Sequence, residues 1–207
     1  MVQVADSPAD SNRRPARPEG RVVWFHVPRE SGLGAVEQLI TRLQQTDPSL
    51  RFLITTPSTP VARMNWPTFY ETCPRDRRGD VSNFLNHWRP NVAIWMQGDL
   101  SPNLVVETSN RRLPLFLVDG SLAGFTGSLG ILHNWRYKSL LRRFDRFLTV
   151  DEDTGHKLKS LGAPNWRSET TGALEEGTAA LACDEDDRKD MAEILSTRPV
   201  WSAMHVP

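Results

Sequence analysis

Residues 21–45 read RVVWFHV, then PRESGLG, then AVEQLITRLQQ. The first seven are β-branched or aromatic almost throughout, which predicts a strand buried on both faces. The next seven form a loop with two glycines. In the last eleven, Val36, Leu39, Ile40 and Leu43 fall at helical spacing. A buried strand, a glycine-bearing loop and an amphipathic helix make the opening of a βαβ unit.

The same alternation continues outward. Asp47-Pro48 stops the helix, and RFLITT at 51–56 predicts a second strand. Residues 57–79 carry four prolines and the run Arg75-Asp76-Arg77-Arg78, and read as irregular with a short helix at most. Asp80 is placed to cap a helix through Trp88, which Arg89-Pro90 ends. VAIWM at 92–96 predicts a third strand, 103–111 a helix, and LPLFLV at 113–118 a fourth strand. A glycine-rich loop or broken helix follows at 120–130, then a helix over 132–143 and a fifth strand, RFLTV, at 146–150. A helix over 151–161 closes at Gly162. Residues 166–171 read as a sixth, weaker strand, 184–195 as a helix with an acidic first turn, and 198–204 as a strand.

Strands alternating with helices predict a Rossmann-like α/β fold, a parallel sheet with helices on both faces. Residues 1–20 are polar and proline-rich, and read as a disordered segment. Ligands of such sheets sit beyond the carboxyl ends of the strands. That singles out the loops at 28–34, 57–60, 97–103, 119–127 and 151–154.

Bulk properties narrow the classes. The chain has 207 residues, 25 basic and 25 acidic, so no basic excess points to a nucleic-acid partner. No apolar run is long enough to span a bilayer, and the N-terminus lacks the apolar core of a signal peptide. Cys73 and Cys183 stand far apart with no zinc spacing, which reads as two thiols in a reducing cytoplasm. No metal and no cofactor are expected.

Individual motifs are weaker. Gly32-Leu33-Gly34 is part of a dinucleotide fingerprint, but Glu37 stands at its third glycine and Thr55-Thr56 where a ribose-binding acid belongs. The plain reading is a tight turn opening a helix. Asp99 and Asn103 are placed either to bind hydroxyls or to form a turn that caps the next helix. Arg136, Lys138, Arg142, Arg143 and Arg146 surround a helix C-terminus. They read as a solvated face complementing the helix dipole or as a contact with anionic headgroups. His26, Trp24, Trp88, Trp95 and Phe116 read most simply as core.

The order of segments resembles the 3-deoxy-D-manno-octulosonic acid (Kdo) transferases over about residues 20–207. Trp24-Phe25-His26 resembles the family's W-x-H, and Thr55-Thr56-Pro57-Ser58 its threonine-rich loop. Residues 84–90 (FLNHWRP) resemble its helix ending in W-[RK]-P, and 100–104 (LSPNL) its L-W-P-N-L. Phe144-Asp145-Arg146, Asp151-Glu152, Leu161-Gly162-Ala163, Thr171-Gly172 and Arg198-Pro199-Val200-Trp201 resemble F-D-x, x-D-E, L-G-A, T-G-N and R-P-V-W.

The resemblance implies an enzyme of lipopolysaccharide synthesis that moves Kdo from CMP-Kdo to a lipid A precursor. Its GT-B fold pairs two Rossmann-like domains. Residues 21–172 would be the acceptor-binding domain. Residues 173–207 would be the interdomain linker with the first helix and strand of a truncated donor domain. Thr55, Thr56, Gln97, Asp99, Asn103 and Ser121 would face the acceptor. Arg136, Lys138, Arg142 and Arg143 would touch the inner face of the plasma membrane from the cytoplasm.

Departures from the family pattern matter as much. Its first loop reads roughly S-V-G-E, with a glutamate suited to take a proton from the acceptor hydroxyl. Counted from His26, that glutamate falls on Gly32, which cannot accept a proton; Glu30, two residues earlier, could substitute as the base only if the loop shifts. E-T-E becomes Gln97-Gly98-Asp99, and the arginine of N-A-R-L-S becomes Ser121. With CMP-sugar binding assigned by the resemblance to a donor domain that is truncated here, and with the glutamate lost, the expectation is a chain that is inactive by itself. A non-catalytic glycan-binding or lipid A-binding module and a truncated gene product are the alternatives.

Overall fold

A computed structural model of the chain describes residues 14–58, 67–98, 100–121, 134–174, 189 and 193. Contacts divide the chain into two compact units, Met1–Leu174 and Glu175–Pro207. The first holds the sheet. In the second, Lys189 and Glu193 are helical, within the helix expected at 184–195. The linker from 175 and the strand expected at 198–204 lie outside the described residues.

The chain runs β1 (Val22–His26), α1 (Leu33–Thr46), β2 (Arg51–Thr56), β3 (Thr68–Thr72), α2 (Arg78–Trp88) and β4 (Val92–Met96). It continues through α3 (Pro102–Asn110), β5 (Leu115–Gly120), α4 (Asn134–Leu141), β6 (Arg146–Thr149), α5 (Glu152–Ser160) and β7 (Ser168–Thr170). The seven strands form one parallel sheet in the order β3-β2-β1-β4-β5-β6-β7. This is a Rossmann-like α/β sheet. The chain builds outward from β1 to β3, returns to place β4 beside β1, and then builds the other way. The β1/β4 seam is therefore the switch point, where such folds hold their ligands.

Alternation along the strands divides the core in two. On one face Trp24, Leu53, Trp95, Leu117 and Phe147 meet Phe84 and Trp88 of α2, Leu104 of α3, Leu141 of α4 and Leu158 of α5. On the other, Val23, Phe25, Phe52, Ile54 and Met96 meet Val36 and Ile40 of α1. Trp24, Trp88 and Trp95 are fully buried, and the Trp24 and Trp95 rings meet edge to face at 5.1 Å. Phe116, expected in the core, is only half-buried.

Three elements differ from expectation. Residues 68–72 (TFYET) form strand β3 inside the segment read as irregular. It is the outermost strand, where one side needs no partner strand and prolines nearby are tolerated. Helix α2 begins at Arg78, before Asp80, and its N-cap Arg77 gives no side-chain cap. Asp80 lies in the first turn instead. Asn103 likewise does not cap α3; Ser101 holds the cap position without a side-chain bond. Asp76 takes over, its Oδ1 accepting from Leu104 N at 3.0 Å while Asn103 Nδ2 donates to its carbonyl at 2.7 Å.

Of the lead-in at 1–20, residues 14–20 are described, and side chains tie them down. Arg17 Nε donates to Trp88 O at 2.8 Å, and His87 Nε2 lies 2.9 Å from Pro15 O. Composition missed this anchoring because it is polar, side chain to carbonyl, with no apolar signature.

Candidate functional site

The carboxyl edge at the β1/β4 seam brings together His26, Gly32, Thr55 and Gln97. His26 ends β1 and faces the tryptophan side of the sheet, its ring 4.9 Å from Trp95. It is 2% exposed. Its Nδ1 lies 3.2 Å from Thr55 Oγ1, which also accepts from Trp24 Nε1 at 2.9 Å. Its Nε2 is buried with no partner. Burial pushes the imidazole down to about 4 from an ordinary 6.5, so it is neutral at pH 7.

Thr55 and Thr56 are both buried. Besides Trp24 and His26, the Thr55 hydroxyl has Phe25 O within 3.4 Å, and Thr56 Oγ1 donates to Ser58 O. Their hydroxyls are engaged within the protein. They shape the edge and position His26.

Gly32 closes a 3-10 turn (Glu30–Gly32) and is the N-cap of α1. Its φ of −87° and ψ of −4° suit any residue. A Cβ there would stand 3.1 Å from Gln97 Nε2, 3.4 Å from Gln97 Cδ and 3.6 Å from Val27 Cγ1. Gln97 follows β4 with φ at +64°, in the left-handed region. Its Oε1 is buried without a partner. Backbone bonds fix the turn, with Gln97 N donating to Val118 O at 3.0 Å and Gly98 N to Met96 O at 2.8 Å. Glu30 is in the turn, but its side chain and all of Asp99 lie outside the described residues.

Farther along the edge, Asp119 has φ at +56°, and its Oδ1 accepts from Leu174 N at 3.0 Å. Ser121 follows β5, half-buried. Asn103 is engaged with Asp76. Asp151 caps α5, accepting from Thr154 N at 2.6 Å, and that backbone bond holds its carboxyl below the usual range. Among the described residues no group of three or more His, Cys, Asp or Glu is placed to hold a metal.

The basic cluster sits elsewhere. Helix α4 ends at Leu141, and the chain then reaches β5's first residue: Asp145 N donates to Leu115 O at 2.8 Å. Arg142 and Arg143 therefore lie at the amino edge, roughly 17 Å from the carboxyl edge for a five-residue strand. Lys138 is exposed, with its stem over Gly162. Arg143 Nη1 donates to Ser109 and Asn110 of α3, at 3.3 Å each. The Arg136 side chain lies outside the described residues. No helix among the described residues is long and apolar enough to cross a membrane.

By sequence, Gly32 and Gln97 fall in separate loops and His26 in the core. No local signal marks the contact between the first two, because it joins positions 65 apart across the seam.

Known proteins agree with this architecture. Several UDP-N-acetylglucosamine 2-epimerases share the fold. The putative Listeria monocytogenes enzyme superimposes with a TM-score of 0.54 at 12% identity, over 84% of this chain and 52% of that one. The Methanocaldococcus jannaschii enzyme gives 0.52 at 11% identity, over 73% and 45%. Among curated relatives, a probable mitochondrial 3-deoxy-D-manno-octulosonic acid transferase of Arabidopsis thaliana is 30% identical over 113 residues, 52% of this chain and 25% of that protein. The Haemophilus influenzae transferase is 24% identical over 195 residues, 90% and 44% of the two chains. This chain thus spans less than half the length of these relatives. The model of one family, 3-deoxy-D-manno-octulosonic-acid transferase (kdotransferase), matches residues 6–175. With the match covering most of its length, the chain belongs to the Kdo transferase family.

Proposed function

We propose that residues 21–172 form the acceptor-binding domain of a Kdo transferase of lipopolysaccharide synthesis. It takes a lipid A precursor at the carboxyl edge beside the β1/β4 seam. The 207-residue chain does not itself transfer Kdo from CMP-Kdo. In that transfer the acceptor hydroxyl replaces CMP on the sugar and gives up its proton, which calls for a base beside it.

One observation carries the reading. Gly32 stands where the family pattern has its glutamate, and an amide occupies the adjoining space. Neither glycine nor an amide accepts the proton. His26 is neutral at pH 7, but its Nε2 is closed off from solvent. Family membership supports the substrate class. The position of the site rests on the switch-point rule and on the orphaned polar atoms there. In the basic cluster at the opposite edge, Arg143 ties the turn after α4 to α3, and the membrane contact expected through the cluster has no part in this reading.

Incubation with CMP-Kdo and lipid A precursor, followed by chromatography of the products, tests the proposal. No Kdo-bearing product is expected from this chain, while calorimetry detects precursor binding. Measurable transfer sinks the claim of inactivity, and an absence of heat sinks the claim of binding.

A further inference from the structure

We propose that Arg75 and Arg77, in the loop between β3 and α2, form an anion subsite for a phosphomonoester carried by the glycan at the carboxyl edge. The glycan rests on the binding reading above. The anion subsite itself does not.

In sequence, the run Arg75-Asp76-Arg77-Arg78 is a mixture of charges. The structure sorts them. The loop leaves the carboxyl ends of β2 and β3, where Cys73 N donates to Thr56 O at 2.7 Å. Asp76 is committed to α3. Its Oδ1 accepts from Leu104 N at 3.0 Å and its carbonyl from Asn103 Nδ2 at 2.7 Å, so its charge meets the positive end of that helix. The same bonds fasten the loop to the residues that follow β4, one of the two seam strands. Arg78 Nε donates to Glu107 Oε1 at 3.1 Å, and Arg111 Nη1 to Glu107 Oε2 at 2.9 Å. Asp80 lies in the first turn of α2, where the helix dipole favours a carboxylate. Each acid near the run is thereby taken up within the fold.

Arg75 and Arg77 are what remain. Both are exposed, and neither side chain has a hydrogen bond or ion pair among the described residues. Arg77 N donates to Arg75 O at 2.6 Å, closing a tight turn around Asp76. Beside them, a Cβ added to Gly79 would meet nothing within 4 Å, so the surface is open there. Two guanidiniums on an anchored loop match a dianion. A phosphomonoester carries about −1.5 to −2 at pH 7 and has three acceptor oxygens, enough for a forked bond from each arginine. A carboxylate, with one charge and two oxygens, is filled by one. β3 lies two strand spacings, about 10 Å, from β1. A disaccharide can therefore set a phosphate on Arg75 and Arg77 with a hydroxyl at the β1/β4 seam. The arginines bind and orient; they touch no reacting atom.

Calorimetry of the whole chain compares a soluble glucosamine disaccharide bisphosphate with the same disaccharide lacking phosphate. Arg75→Gln and Arg77→Gln are each expected to weaken bisphosphate binding about tenfold, a typical loss for a charge-assisted bond. Tm and the affinity for the unphosphorylated sugar stay unchanged, Arg77→Lys recovers part of the loss, and Arg146→Gln at the amino edge has no effect. Wild-type affinity in the double Gln variant overturns the subsite. An equal loss with both sugars also overturns it, since that marks a structural role. If the wild-type chain binds neither sugar, the binding reading fails, and amide NMR with millimolar inorganic phosphate decides the subsite. Shifts at Arg75, Arg77 and Gly79 that vanish in the double variant sustain it, and their absence in the wild-type chain overturns it.

Discussion

The two edges of the sheet use the same backbone conformation for different ends. At the amino edge, Arg89, Arg112 and Gly162 have φ of 42°, 58° and 104°. Each lies just past the end of a helix, α2, α3 or α5, where a left-handed residue turns the chain out of the helix. At the carboxyl edge, Gln97 and Asp119 have φ of 64° and 56°, at the ends of strands with no helix to close. Polar pairing differs in the same sense. The amino edge is laced together: Val22 N donates to Asn91 Oδ1, Leu115 N to Asp145 Oδ2, and Arg167 Nη1 to Arg142 O and Phe144 O, all at 2.8–3.0 Å. At the carboxyl edge His26 Nε2 and Gln97 Oε1 are left over. Arg143 Nε and Arg167 Nε are also orphaned at the amino edge, but each belongs to a guanidinium whose Nη1 donates two bonds. One edge is satisfied for stability, and the other holds strain and unused polar groups.

The largest expected effect concerns His26. An imidazole pushed down to about 4 from 6.5 takes up its proton on unfolding throughout that window, so the unfolded state gains as pH falls. Stability associated with His26 is complete above pH 6.5 and lost toward pH 4, by about 3 kcal/mol. Urea denaturation at pH 7 and pH 4.5 should show this loss in the wild-type chain and a much shallower one in His26→Phe. Equal slopes would mean that His26 is not the buried neutral group described here.

Next comes the amino edge. Arg167→Ala removes two bonds to carbonyls of the turn that follows α4, and should cost about 2 kcal/mol in the same experiment. The smallest effect carries the opposite sign. Gln97→Gly relieves a left-handed side chain and an orphaned oxygen, and should raise stability by about 1 kcal/mol. A loss on Gln97→Gly would break the contrast between the edges.

Much of the sheet was legible from residue pattern. RFLITT and VAIWM match β2 and β4 residue for residue, because buried parallel strands are near-continuous apolar runs. β3 was not legible, since an edge strand such as TFYET needs less apolar surface and lies beside Pro67. Caps were legible only where they are local. Asp151 closes its own helix, whereas Asp76 caps α3 from 28 positions away. The candidate site divides the same way. Its loops follow from the strand-helix alternation, but the Gly32–Gln97 contact needs the β1/β4 pairing, which no stretch of sequence encodes by itself.

The central claim is that acceptor chemistry belongs to the carboxyl edge alone. Backbone amide NMR of the labelled chain, titrated with the glucosamine disaccharide bisphosphate, tests it most directly. The account predicts shifts at Val27, Gly32, Gln97, Gly98 and Gly120, with Arg89, Asn91, Leu115 and Arg142 unmoved. Shifts centred on the amino-edge group, or none at saturating ligand, would contradict it.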